Sequence, residues 1–187
     1  VISHNPDIVF IEFAVNDEML SEPVVQKRME GIVRKLRELP EPPIVTYVYT
    51  TGTWGNSSSR HTPIAQNYGI GQIDLKAVVD YVMTNGGAWN EYFADGVHPN
   101  DKGYKLYADN VLYSISNFPE KYLRVPEAAE PVYSDWYHVT GSFTAAADMG
   151  LDESVWTEYA STGYYGCQND GDSLTYTCSG NSVGILH

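Results

Sequence analysis

Hydrophobic and polar positions in this chain switch repeatedly between two periods. Asp7 to Phe13 (DIVFIEF) is a short, largely apolar run of β-branched and aromatic residues, with Asn5-Pro6 before it and Asn16-Asp17 soon after. That composition predicts a strand buried on both faces, as in a parallel sheet. From Ser21 to Leu39 the period becomes helical, with Val25, Met29, Ile32, Val33, Leu36 and Leu39 on one face, Ser21 at the N-cap and Pro40 beyond the end. Ile44 to Thr50 (IVTYVYT) predicts a second strand and the polar stretch Thr51 to Ser59 a loop. A helix around Thr62 to Tyr68, a third strand within Gly69 to Leu75 and a helix over Lys76 to Met83 follow. Ala94 to Asn100 reads as a loop and Lys102 to Ile115 as a last amphipathic helix. Alternating strands and helices in this order imply an α/β domain with a flavodoxin-like parallel sheet, whose chemistry sits at the carboxyl ends of the strands. Asn16 and Asp17 fall at such an end.

Past about Tyr122 the pattern changes. Pro126, Pro131 and intervening acidic residues resemble a linker, and Ser173 to Cys178 and Ser182 to Leu186 read as two short strands joined by a turn at Gly180-Asn181. The expected organisation is one α/β domain over residues 1–125, then a linker and the start of a β-rich accessory module, part of a β-sandwich, over 126–187. Neither end looks like a natural terminus: VISHNPDIVF has no initiator Met or signal-peptide pattern, and SVGILH stops inside a strand-like run.

Apolar residues make up 43% of the 187, enough for a packed core, and no stretch approaches the roughly 18 consecutive apolar residues of a membrane span. Eleven Lys and Arg against 24 Asp and Glu give a net charge of −13, which repels nucleic acids and anionic membrane surfaces and leaves neutral substrates compatible. The two cysteines, Cys167 and Cys178, have no partner set at zinc-binding spacing; they are either a bridge between neighbouring strands in an exported protein or two thiols. No metal or organic cofactor is expected.

Asp95-Gly96-Val97-His98-Pro99-Asn100 stands directly before a helix. A carboxylate three residues ahead of an imidazole can bond its Nδ1 within one tight loop, fixing the tautomer and leaving Nε2 as a general base. Taken alone, such a pair is also common as a surface or capping group. Asn16, at the end of the first strand, either offers an amide donor for an oxyanion or simply turns the chain.

The order of these segments is more specific than either alone. IEFAVND followed far downstream by DGVHPNDKGYKLYAD, with AQNYGIGQIDL between them, resembles the SGNH/GDSL hydrolases over residues 5 to about 116. That family has a strand leading into Gly-x-Asn-Asp and a last block of Asp-x-x-His-Pro before its final helix. The resemblance implies serine-type ester hydrolysis, with Asn16 as an oxyanion-hole donor, His98 as general base, Asp95 as the carboxylate orienting it, and Asp17 as support for the Asn16 loop. It further implies a fold incomplete at its N-terminal side. Ala14 stands where the family has Gly, and the family's Gly-Asp-Ser nucleophile block is absent ahead of the first strand. The chain as given is then expected to be inactive alone, because a histidine base without its hydroxyl has nothing to activate.

Gly171-Asp172-Ser173-Leu174 spells the letters of the missing block, but lacks the preceding strand and following helix that hold such a serine at a sharp turn, so Ser173 is assigned to the β-module. Among the other histidines, His4 is expected in solvent, His61 as a cap or surface residue ahead of a helix, and His138 packed among aromatics. Trp54, Trp89 and Tyr92 form either a sugar-stacking wall or ordinary packing. The expected substrate is an acylated polysaccharide or small ester, acted on outside or at the surface of the cell. The rival readings are a non-catalytic glycan-binding protein on the same scaffold and a lipase or thioesterase of the same fold; the polar Thr51 to Ser59 loop argues against the latter.

Overall fold

The computed structural model describes residues 4–133, Leu151 and the segments 156–158 and 165–167. It divides into two compact units, Val1–Val139 and Thr140–His187. In the first, β1 (Ile8–Ile11), α1 (Glu22–Arg37), β2 (Ile44–Tyr49), α2 (Ser58–Asn67) and β3 (Gly71–Asp74) are followed by α3 (Leu75–Thr84), the single turn α4 (Trp89–Tyr92) and α5 (Asp101–Asn117). The three strands form a parallel sheet in the order β1-β2-β3, with Ile8 opposite Ile44 and Thr46 opposite Gly71. This is the α/β fold expected from the alternation of periods.

The alternating side chains of β2 explain why helices lie on both faces. Val45, Tyr47 and Tyr49 pack with Ile11 and with Val25, Met29 and Val33 of α1 and Ile64 and Ala65 of α2. Val48 packs with Ile73, Leu75, Val79, Phe93 and Tyr107 on the other side. β2 is buried nearly throughout, which matches its continuous apolar run.

β1 departs from its expected burial on both faces. Ile11 is buried against α1, whereas Ile8 and Phe10, and Phe13 just beyond the strand, are exposed. β1 pairs only with β2 among the described strands, so its far edge is unpaired, and beside it opens an apolar cleft lined by Phe10, Phe13, Ile32 and Leu36.

Two further boundaries differ from the sequence pattern. α2 begins at Ser58, before the expected start, and carries Pro63 inside it. Proline cannot donate to the preceding turn, and Thr62 Oγ1 bonds the Ser58 carbonyl at 3.0 Å there. The segment expected to be a linker is strapped onto the first unit. Glu30, 2% exposed on α1, accepts from Tyr68 Oη at 2.9 Å and from the amides of Val132 and Tyr133 at 2.6 and 2.7 Å. Arg37 bonds the carbonyl of Pro126, and Glu127 N that of Tyr68. The compact unit therefore runs past residue 125. In the second unit β4 (Trp156–Glu158) and β5 (Tyr165–Cys167) pair antiparallel, with Trp156 opposite Cys167. The strands expected over 173–178 and 182–186, and His138, Ser173 and Cys178, lie outside the described residues.

The N-terminus of α5 is docked by a glycine. Asn100 caps it, accepting from the amides of Lys102 and Gly103 at 3.0 and 3.2 Å, and Asn100 N bonds Tyr92 O at 2.9 Å. A Cβ on Gly103 would lie 2.1 Å from that same Tyr92 carbonyl, a backbone atom that cannot swing aside. Gly103→Ala is expected to destabilise the protein by about 3 kcal/mol or more, at the upper end of over-packing effects, read from urea unfolding midpoints.

Candidate active site

Three loops meet at the carboxyl ends of the strands. The first, 12–20, leaves β1. Glu12 Oε1 accepts from Ala14 N at 3.0 Å and from Thr50 Oγ1 at 2.7 Å, and Asp17 N bonds Phe13 O at 2.9 Å. No residue of this turn has a positive φ, and the Ala14 side chain is fully buried. The turn therefore does not require glycine at position 14, and the methyl group packs into the core. Asn16 is exposed at its crest.

The third loop, 94–100, closes on itself. Phe93 and Pro99 form an antiparallel bridge, and Ala94 N bonds His98 O at 2.8 Å. Inside it, Asp95 Oδ1 accepts from the amides of Val97 and His98, both at 2.8 Å, and Oδ2 lies 2.7 Å from His98 Nδ1. One carboxylate thus shapes the turn with one oxygen and orients the ring with the other. Its pKa is held down to about 2, chiefly by the His98 amide, then by the His98 imidazole and the Val97 amide. Asp95 is therefore an anion across the neutral range, so a neutral His98 carries its proton on Nδ1 and directs the Nε2 lone pair outward. The His98 side chain is 73% exposed, and no described hydroxyl bonds to it.

The middle loop, 51–57, grips both others. Ser57 donates from N and Oγ to the Ala14 carbonyl at 2.8 and 2.6 Å, two residues before Asn16. Thr53 N donates to the Gly96 carbonyl at 2.8 Å, two residues before His98. The two segments expected to carry chemistry, the Asn16 loop and the Asp95–His98 loop, are thereby tied to one another through loop 51–57.

His61 is not the surface residue expected. It is 1% exposed, within α2, and its Nε2 lies 2.9 Å from Asp17 Oδ2. Its neighbour Arg60 places Nη1 within 2.7–3.1 Å of the carbonyls of Asp17, Glu18 and Leu20. Together they clamp the loop that carries Asn16. The signal was present in the spacing of His61, Ile64, Ala65 and Tyr68, one face of a helix that starts earlier than Pro63 suggests. Trp89 is also a packing residue: it stacks on Phe93 at 3.8 Å with planes 12° apart, and its Nε1 donates to Asp95 O. Lys102 Nζ sits 4.1 Å over the Tyr92 ring. Among the described residues no group of three or more His, Cys, Asp or Glu is gathered to hold a metal, and no helix is long and apolar enough to cross a membrane.

The sequence pattern of the GDSL-like Lipase/Acylhydrolase family matches residues 1–106, more than half of the chain. The chain belongs to that family. Two solved structures of a two-domain esterase active on acetylated mannans are similar to it. One, co-crystallised with mannopentaose, gives a TM-score of 0.61 at 26% identity over 71% of this chain; the other gives 0.58 at 28% over 72%. This GDSL-family chain spans only 36% of the length of each. No curated protein matches the sequence.

Two titrations follow from these contacts. The Asp95 carboxyl is expected to titrate near pH 2 by carbon-detected NMR, and in His98→Ala to move up only part of the way to an ordinary value, because the residue-98 amide, the largest cause, survives. His61 is held below its ordinary value by burial, which outweighs the opposing Asp17 carboxylate. Its stabilising contribution is thus complete above the unfolded pKa of about 6.5 and is lost as pH falls, because the unfolded chain takes up a proton that the folded one resists. Urea midpoints of the native protein are expected to fall more steeply between pH 7.5 and 5.5 than those of His61→Gln. At pH 7.5, His61→Ala should cost about 3 kcal/mol by leaving the Asp17 carboxylate buried without its donor.

Proposed function

We propose that this chain supplies the base, the orienting carboxylate and an oxyanion donor of a serine esterase that removes acyl groups, acetyl foremost, from a polysaccharide. The observation that carries the reading is the double grip of loop 51–57, which ties the Asn16 loop and the Asp95–His98 loop to one rim. Family membership and the likeness to an esterase active on acetylated mannans support the reaction and the substrate class.

The serine comes from outside the described residues, on a further strand beside β1. The unpaired edge of β1, exposed Phe10 and the apolar cleft next to it support that position. The serine hydroxyl attacks the ester carbonyl and His98 Nε2 takes its proton, while Asp95 holds Nδ1–H and stabilises the imidazolium. The Asn16 amide and backbone amides bind the oxyanion of the tetrahedral intermediate. Collapse of the intermediate expels the sugar alkoxide, which receives the proton from His98. Water, deprotonated by the same imidazole, then hydrolyses the acyl-enzyme and returns the serine and a free carboxylic acid. The neutral character of a glycan suits a chain of net charge −13, and an extracellular substrate implies export.

The test uses the full-length protein, assayed on aryl acetate and on an acetylated polysaccharide. His98→Ala is expected to lower kcat by about 10^4-fold or more, and Asn16→Ala by about 10^2–10^3-fold. Full turnover in His98→Ala would remove His98 from the mechanism, whereas no turnover in the unmutated protein would leave the non-catalytic glycan-binding reading in its place.

A further inference from the structure

Of Trp54, Trp89 and Tyr92, only Trp54 leaves a large surface to solvent: it is 57% exposed. Isolated exposed apolar residues are common and need no explanation. Trp54 differs in how firmly it is held. It sits in a turn closed by reciprocal bonds between Gly52 and Gly55, N to O at 3.1 and 3.0 Å, with Gly55 at φ +99°, a conformation few other residues adopt. The indole lies directly over Gly52, where a Cβ would come within 2.9–3.0 Å of two ring carbons, and its far edge reaches Gly96, where a Cβ would lie 3.4 Å away. Two glycines therefore make the bed on which the ring lies. Gly96 is the residue between Asp95 and Val97, and its carbonyl receives Thr53 N, so the indole is fixed to the loop that carries His98.

The same turn, through Gly52, Thr53 and Gly55, walls an open cavity of about 300 Å³. Its lining continues through Lys76 and Asp80, whose side chains are paired, and through Val79, Met83 and Trp89. The volume is at the lower end of small-ligand sites. The Trp54 ring is not part of that lining; it stands exposed at the tip of the same turn, and such a face suits one kind of partner, a flat ring with apolar C–H faces and hydroxyls on its rim. A lipid or a protein surface would ask for a broader apolar patch than one indole among Thr51, Thr53 and Asn56.

We propose that Trp54 is a stacking platform for a neutral pyranose unit of the substrate chain, next to the acylated one. This rests on the glycan-esterase reading and adds to it a binding subsite outside the reacting groups. Stacking on the indole holds the chain while the neighbouring ester is presented to His98. The subsite makes its contacts with the sugar chain alone, so it raises affinity for oligosaccharides over small esters.

The test titrates cellopentaose, xylopentaose and mannopentaose, all without acyl groups, against the protein and follows the indole N–H signals by NMR. At least one sugar is expected to shift the Trp54 signal. Trp54→Ala should then raise its dissociation constant about tenfold, and Trp54→Phe less, since a smaller ring retains part of the stacking. In the full-length protein, Trp54→Ala should lower kcat/KM at least about fivefold more on an acetylated oligosaccharide than on aryl acetate, with the difference in KM. An unshifted Trp54 signal with all three sugars, unchanged affinity in Trp54→Ala, or equal losses on the two substrates would overturn the subsite. The sugar-binding results do not depend on His98, so they fail separately from the esterase reading, which the His98→Ala assay decides.

Discussion

The candidate site depends on backbone hydrogen bonds made by one short loop. Asn16 and His98 belong to segments far apart in the chain, and each turn could keep its local shape without facing the other. Loop 51–57 removes that freedom by offering Ser57 to the Ala14 carbonyl and Thr53 to the Gly96 carbonyl. Because the loop leaves β2, the middle strand of the described sheet, both contacts are referred to the most deeply buried strand. A rim built this way needs no direct side-chain contact between Asn16 and His98. Each is positioned by amides and carbonyls, whose geometry tolerates little drift.

The second level of support is electrostatic. Asp95 meets two amides and an imidazole, so its charge is compensated in the open even though the pair is exposed. Asp17 is treated in the opposite way: it is nearly buried, and its partner His61 is buried deeper still. Arg60 adds a cation facing three carbonyls of the same loop. The chain thus places one carboxylate on the exposed rim and another on the foundation beneath it, with a histidine beside each. The difference in burial separates a histidine open to solvent from one that holds a fold together.

How much of this could be read from the sequence follows from the range of the interactions. The Asp95–His98 bond spans three residues, so a motif of that length contains nearly all its geometry. The strand and helix periods were equally local, and the α/β fold followed from them. The His61–Asp17 contact joins residues 44 apart, and Pro63 disguised where α2 begins. The exposure of Ile8 and Phe10 was invisible in their identity, since an apolar strand residue is buried only if something lies over it. The segment after Tyr122 misled because its proline and acidic content matches a linker, while what fastens it is main-chain amides, which carry no sequence signature.

That last fastening has a practical reach. Glu30 lies in the core beneath α1 and α2, and two of its three donors come from Val132 and Tyr133. An excised first unit ended at the apparent composition break would leave the Glu30 carboxyl in a dry interior with only the Tyr68 phenol as donor. Such a piece would unfold or aggregate for reasons unrelated to its chemistry. The shortest self-sufficient version of the first unit must extend at least through Tyr133.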